Sequence, residues 1–265
     1  MIPYPQIDPV FFALGPLKVR WYGLMYVLGF TAVHILVSYQ CRKYRLKKLA
    51  EHYENLNFTL IIGLILGARL GYVLFYNFSY YLQQPAEIPA VWLGGMSFHG
   101  ALIGLLIAGW LYCRKHDLDF LRTTDAYTMT IPIGLGLGRI GNFINGELFG
   151  RVTDVPWAMI FPAGGAVPRH PSQLYECLLE GVFLFLLLWT LRIPYYRHNW
   201  PRGTILATFL VGYGLSRVVV ELFREPDVQL GILFGLVTMG QLLSLIMIGG
   251  GILLFVLKPK GSGSV

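Results

Sequence analysis

The chain has 265 residues, of which 55% are hydrophobic and 13% charged, and a formal net charge of +7; its mean hydropathy is +0.57. A soluble domain carries about 25% charged residues, so composition excludes that class and points to a membrane protein. The positive charge is scattered over the connections between apolar stretches, which excludes nucleic-acid binding as its explanation.

Residues 1–15 are neutral to acidic and interrupted by prolines, so no cleavable signal peptide is expected there. Crossing a hydrocarbon core of about 30 Å needs roughly 20 helical residues. Apolar stretches of about that length occupy residues 21–40, 56–76, 96–113, 123–142, 174–191, 203–223 and 236–257, with Asp125 and Pro132 interrupting the fourth. Between the second and third, residues 77–95 hold aromatic residues, Pro85, Pro89 and Trp92 but no Lys or Arg. That content predicts an arm lying in the membrane interface. Residues 145–172 are polar, rich in Gly and Pro, and long enough to form a cap over a site. Residues 260–265 read as a flexible tail. The expected fold is an all-α integral membrane protein, a single polytopic domain over residues 1–265 with seven transmembrane helices.

The basic residues set the orientation. With the amino terminus outside, the inner side receives Arg42, Lys43, Arg45, Lys47, Lys48, Arg114, Lys115, Arg122, Arg192, Arg197, Arg202, Lys258 and Lys260. The outer side receives only Lys18, Arg20, Arg151, Arg169 and Arg224. This is the positive-inside pattern, and it predicts an outer amino terminus and a cytoplasmic carboxyl terminus.

That topology assigns a depth to each unusual polar residue. Tyr22 falls at the outer end of the first span, Arg69 in the outer half of the second, and His99 at the outer end of the third. Arg139 and Asn142 end the fourth, followed by Asn145 and Glu147. In the sixth, Tyr213, Arg217, Glu221 and Arg224 are spaced by four, four and three, which puts them on one helix face. Separate segments thus deliver polar groups to one level, the outer leaflet.

Several of these residues also admit plainer readings. Arg217 and Glu221 fit an intrahelical ion pair, Arg69 a snorkelling or structural arginine, His99 a hydrogen-bonded structural residue and Tyr22 an interfacial anchor. Gly63, Gly67 and Gly71 read as helix packing. Cys41, Cys113 and Cys177 form no metal-type pair and read as small buried or interfacial residues.

The densest signal is Gly138-Arg139-Ile140-Gly141-Asn142-Phe143-Ile144-Asn145-Gly146-Glu147, which follows an uncharged run over residues 127–137. An arginine in a bilayer costs at least about 2.5–3.5 kcal/mol unless compensated, so its presence marks a site. Gly136-Leu137-Gly138-Arg139-Ile140-Gly141 matches G-x-G-x-x-G literally, but a dinucleotide site needs that pattern between a strand and a helix. Arginine keeps its charge and presents a planar fork suited to phosphate. Arg139 and Arg217 at leaflet depth therefore indicate an anionic phospholipid head group. Asn142, Asn145 and Tyr213 supply neutral donors, and Glu147 and Glu221 orient guanidinium groups or accept hydroxyls.

The segment from Gly138 to Glu147, continued by Leu148-Phe149-Gly150-Arg151, resembles the signature of the bacterial phosphatidylglycerol–prolipoprotein diacylglyceryl transferases. So do Trp21-Tyr22-Gly23-Leu24-Met25-Tyr26, Gly95-Met96-Ser97-Phe98-His99-Gly100, Arg169-His170-Pro171-Ser172-Gln173-Leu174-Tyr175-Glu176, and the segment around Tyr213, Arg217, Glu221 and Arg224. The matches run in the family's order along nearly the whole chain; the loop between Arg151 and Arg169 is compact.

The resemblance implies a seven-helix enzyme of the bacterial inner membrane whose active site faces the periplasm. It implies transfer of the diacylglyceryl group of phosphatidylglycerol to the lipobox cysteine thiol of a prolipoprotein, with release of glycerol phosphate. Arg139 and Arg217 then bind the lipid phosphate, and Asn142, Asn145, Glu147, Tyr22, Tyr213 and Glu221 shape the pocket. His99 is implied as essential, as the base for the thiol. The expected partners are phosphatidylglycerol, a prolipoprotein signal peptide bearing the lipobox cysteine, and membrane lipids, with no cofactor or metal and no nucleic acid. Two other classes compete: an outer-leaflet anionic lipid transporter using the same arginines, and an intramembrane hydrolase built on Ser97 and His99. Against them stand the lack of an internal repeat, the position of the cluster toward one face, and the lack of a strained serine motif.

Overall fold

The computed structural model describes residues 2–15, 17–225, 232–233 and 237–257. The tail expected at 260–265, Lys258 and Lys260, and residue 236 at the start of the seventh stretch lie outside the described residues. In chain order, a hairpin of β1 (Val10–Leu14) and β2 (Leu17–Arg20) leads into α1 (Trp21–Tyr44) and α2 (Lys47–Phe75). Next come α3 (Phe78–Gln83), α4 (Phe98–Lys115), α5 (Phe120–Thr128) and α6 (Ile131–Ile144). Beyond the cap, α7 (Ser172–Glu176) passes through a π-helical segment, Cys177–Phe183, into α8 (Leu184–Arg197). The chain continues in α9 (Thr204–Glu221), the short strands β3 (Ile232–Leu233) and β4 (Val237–Thr238), and α10 (Met239–Leu257). Helices dominate as expected; the two small antiparallel hairpins among the described residues are additions to the all-α reading.

Among the described residues, five helices have the length and apolarity to cross a membrane: Trp21–Tyr44, Lys47–Phe75, Ser172–Arg197, Thr204–Glu221 and Met239–Leu257. Their apolar side chains face outward to an extent water does not tolerate. Val27, Phe58, Leu66, Leu186, Ile246 and Val256 are each more than half exposed, which suits lipid as the surrounding solvent. The third predicted stretch is present as α4, whose 18 residues include His99, Arg114 and Lys115 at its ends.

The fourth stretch differs from the expectation of one helix over 123–142. It breaks at Met129 and Thr130 into α5 and α6. Pro132 lacks the N–H that a continuous helix would use and is tolerated only in a helix's first turn, so α6 starts afresh around it. Asp125, fully buried, is committed elsewhere. It accepts hydrogen bonds from the Tyr195 hydroxyl at 2.7 Å, the Gly203 N–H at 2.6 Å and the Leu206 N–H at 2.9 Å. It thereby neutralises the start of α9, where free N–H groups and the helix dipole favour an anion.

The chain forms two compact units, Met1–Val37 with Thr124–Gly261, and Ser38–Thr123. In the smaller unit α2 packs on α4 through small residues. A side chain at Gly67 meets the Gly104 Cα at 2.7 Å, and one at Gly71 meets the Gly100 Cα at 2.7 Å. Helices that touch through glycine gain close backbone contact, which is how apolar helices associate where burial in lipid offers no hydrophobic drive. The larger unit has its apolar core in Met129, Leu184, Leu188, Tyr195 and Ile205, with Phe209 and Tyr213 packed against it.

Candidate active site

The larger unit contains a buried lattice of arginines and carboxylates. Gly136 of α6 and Gly181 of the π-helical segment are in backbone contact; a Cβ on Gly181 stands 2.7 Å from the Gly136 Cα. That approach sets Arg139, one turn after Gly136, beside Glu176 and Glu180. The Arg139 Nε lies 2.7 Å from Glu176 Oε2, and its Nη2 lies 3.4 Å from Glu180 Oε2. From α9, Arg217 Nη1 reaches Glu176 Oε1 at 2.9 Å and Glu180 Oε1 at 3.5 Å. Each carboxylate therefore bridges the same two arginines.

The lattice extends along α9. Arg217 Nη2 pairs with Glu221 Oε1 at 2.8 Å, one turn on, and Arg224 Nη1 stands 3.9 Å from Glu176 and 3.8 Å from Glu221. Glu221 Oε2 accepts the Thr238 hydroxyl at 3.0 Å. Thr238 also caps α10: its Oγ1 accepts the Gln241 N–H at 3.1 Å while the Gln241 side chain accepts the Thr238 N–H at 3.0 Å. This reciprocal capping box places the Glu221 carboxylate at a helix start that favours negative charge. Glu176 and Glu180 are completely buried, whereas the Arg139 side chain keeps 18% of its surface accessible. Tyr213, one turn before Arg217, interacts electrostatically with Glu180, Arg217 and Arg139.

A second polar group forms where α6 ends. Asn142 and Asn145 both donate to Glu147 Oε1, at 2.9 and 3.0 Å. The Glu147 carbonyl in turn accepts the Gln173 side-chain amide at 2.6 Å, which ties this turn to α7. Tyr22 rests on Gly141, where an added Cβ meets its ring at 2.9 Å, and its hydroxyl lies 3.1 Å from that of Tyr26. Tyr22 also feels the charges of Glu147 and Arg139. Tyr4 donates to the carbonyls of Phe143 and Ile144 at 2.7 and 3.1 Å, satisfying groups left open at the helix end.

The cap is stitched down from both sides. The Gly150 N–H donates to the His170 carbonyl and the Arg151 N–H to the Phe223 carbonyl, both at 2.8 Å. Arg169 donates to the carbonyls of Gly164 and Gly150, pairs with Glu225 at 2.9 Å and lies over the Phe149 ring. His170 Nδ1 lies 3.0 Å from the Tyr175 hydroxyl, which accepts the Trp157 indole N–H at 2.6 Å. Partial burial holds the His170 imidazolium below its ordinary pKa.

The smaller unit carries His99 and Arg69. His99 lies in the first turn of α4, exposed, with its ring edge-on to Phe98; Ser97 caps that turn by accepting the Gly100 N–H at 3.2 Å. Arg69 has a structural job. It is 3% exposed and donates to the carbonyls of Ile88 and Glu87 at 2.7 Å, Gly94 at 2.6 Å and Gly95 at 3.2 Å. It thus anchors the arm to α2, which resolves its two readings in favour of structural pairing.

Of the expected site residues, Arg139 and Arg217 share the lattice with Glu221 and the neighbouring Tyr213. Asn142, Asn145 and Glu147 form the adjoining group, and Tyr22 packs at Gly141. Of the central carboxylates, Glu176 entered only as the last residue of the Arg169–Glu176 signature, with no site role, and Glu180 was not singled out. The signal was available: two acids spaced by four within an apolar stretch are expensive in a membrane and mark partners for buried cations.

Several membrane-length helices with outward apolar faces, and a buried charged lattice in the larger unit, define a polytopic membrane protein with a polar site. A family model described as prolipoprotein diacylglyceryl transferase matches residues 9–257. A phosphatidylglycerol–prolipoprotein diacylglyceryl transferase of Desulfotalea psychrophila is 56% identical over 253 residues, covering 95% of this chain and 93% of the relative. One from Geobacter sulfurreducens is 54% identical, with 97% of each chain covered, and one from Vibrio vulnificus is 51% identical, with 96% of this chain and 92% of the relative covered. The chain belongs to the prolipoprotein diacylglyceryl transferase family.

Proposed function

We propose that this chain transfers the diacylglyceryl group of phosphatidylglycerol to the lipobox cysteine thiol of a prolipoprotein, in the bacterial inner membrane, with the site opening toward the periplasm. Seven spans with an outer amino terminus and a cytoplasmic carboxyl terminus accompany this reading, supported by the distribution of Lys and Arg. The observation that carries the chemistry is the pairing of Arg139 and Arg217, from separate helices, on the two oxygens of one carboxylate. Two guanidinium groups held that close form a fork for a lipid phosphate.

In the reaction the thiol proton passes to a base and the sulfur attacks the glyceryl carbon that bears the phosphate. The carbon–sulfur bond forms as the carbon–oxygen bond breaks, and the bonding pair leaves on the phosphate oxygen. A phosphodiester of charge −1 becomes a glycerol phosphate approaching −2. Arg139 and Arg217 therefore bind the transition state more strongly than the ground state. A free thiol ionises near pH 8.5, so a base accelerates the step, and His99 is the residue assigned to it. Asn142, Asn145, Glu147, Tyr22 and Tyr213 line the head-group pocket in this scheme, with Glu221 orienting Arg217.

The test uses purified protein, labelled phosphatidylglycerol and a lipobox peptide, read as thioether product. Arg139→Ala and Arg217→Ala are each expected to lose at least about 100-fold in turnover, the scale seen when a charge-stabilising donor is removed. Full activity in either variant overturns the clamp. His99→Gln is expected to lack turnover between pH 6 and 8, and substantial turnover there removes His99 as the obligatory base. Lipid movement without product indicates transport, and peptide cleavage indicates a hydrolase.

A further inference from the structure

We propose that Glu176 and Glu180 are positioning residues that balance the charge of the arginine fork, so that its preference for developing negative charge assists the transfer without holding the dianionic monoester it makes. The inference rests on the reading of Arg139 and Arg217 as the phosphate clamp. Its basis is the composition and geometry of the lattice. Arg139, Arg217 and Arg224 are matched by Glu176, Glu180 and Glu221, each within 4 Å of an opposite charge. The matching is not one acid to one arginine on the same helix. Glu176 and Glu180 come from a third helix and both span Arg139 and Arg217.

Burial separates the two faces of the lattice. Glu176 and Glu180 have no accessible surface, whereas Arg139 retains 18% and Arg217 10% of side-chain exposure. An entering anion thus meets guanidinium edges, with the acids behind them. The acids fix the fork before substrate arrives and offset the cost of three arginines in a low-dielectric site. They also set the net charge that the leaving product faces. A fork without the acids binds a dianion far more tightly than a monoanion, because attraction scales with ligand charge. Such a site is slow to release its product, and release often limits turnover. The π-helical segment that carries Glu180 fits this role, since such irregularities collect at functional sites.

The experiment measures product inhibition by glycerol phosphate alongside KM and kcat for phosphatidylglycerol in Glu180→Gln and Glu176→Gln. Each removes one negative charge with little change of shape. The expected result is inhibition by glycerol phosphate at about tenfold lower concentration or less, with lower kcat and an unchanged or lower KM. Glu180→Asp, which keeps the charge, is expected to restore the native inhibition constant. A purely structural role predicts parallel losses without tighter product binding, and that outcome overturns the proposal.

If neither Gln variant folds, the native enzyme supplies the measurement. Its inhibition by glycerol phosphate is compared with that by glycerophosphoglycerol, the chainless monoanionic head group. A charge-balanced lattice predicts a dianion bound less than about tenfold tighter than the monoanion, whereas a dianion bound more than about tenfold tighter overturns it. Retained transfer in Arg139→Ala and Arg217→Ala refutes the clamp itself. Lost transfer there, with unchanged product inhibition in the Gln variants, removes only the present inference.

Discussion

Arg69 and Arg217 carry the same charge at similar burial, and their partners separate their roles. Arg69 spends its donors on carbonyls of the arm, whereas Arg217 meets three carboxylates. Hydrogen bonds to a charged group contribute about 1.5–3 kcal/mol each and are not additive. Arg69→Ala is therefore expected to release residues 84–95, read as faster amide exchange there, with the Arg139 lattice unaffected. Native protection of the arm in that variant contradicts the anchoring role. Arg139 and Arg217 were legible in the sequence because a charge in an apolar stretch is conspicuous. Glu176 and Glu180 are equally conspicuous, but their meaning depends on which cations they reach, and that contact spans 37 to 41 residues of chain.

At the scale of elements, close backbone contacts decide which side chains meet. The contact of Gly136 with Gly181 sets the spacing between α6 and the π-helical segment, and hence the reach of Arg139 to Glu176. Gly181→Ala forces those backbones apart, at a cost of about 1–3 kcal/mol for overpacking. Its activity is expected to fall while the protein still folds in membranes; native turnover shows that the spacing is tolerant. The cap responds to acid. Because burial lowers the His170 pKa, the unfolded cap takes up that proton at a higher pH than the folded one. Cap stability is thus expected to be fully present above the ordinary histidine range and to fall as pH drops through it. Amide exchange of residues 150–170 at pH 7.5 and 5.5 checks this, and His170→Gln is expected to flatten the difference.

At the scale of the whole molecule, the governing term is the exchange of water for lipid around the apolar helix faces. The proposed orientation rests on loop charge, and it is testable in cells with an impermeant thiol reagent and single added cysteines. Gln84→Cys and Asp154→Cys are expected to label from outside, and Asp117→Cys and Asn199→Cys only after the membrane is opened. The reverse pattern inverts the topology. By itself the sequence determined the membrane class, the positions of the five span-length helices, the two arginines and the family signature. Each of these is local, set by hydropathy over a span or by residues a few positions apart. The commitment of Asp125 to the start of α9, the role of Arg69, and the carboxylates that hold Arg139 and Arg217 together were decided by tertiary structure. They arise from pairings between distant segments, where burial makes an unpaired charge or hydrogen-bonding group too costly and so selects the partner that packing brings within reach.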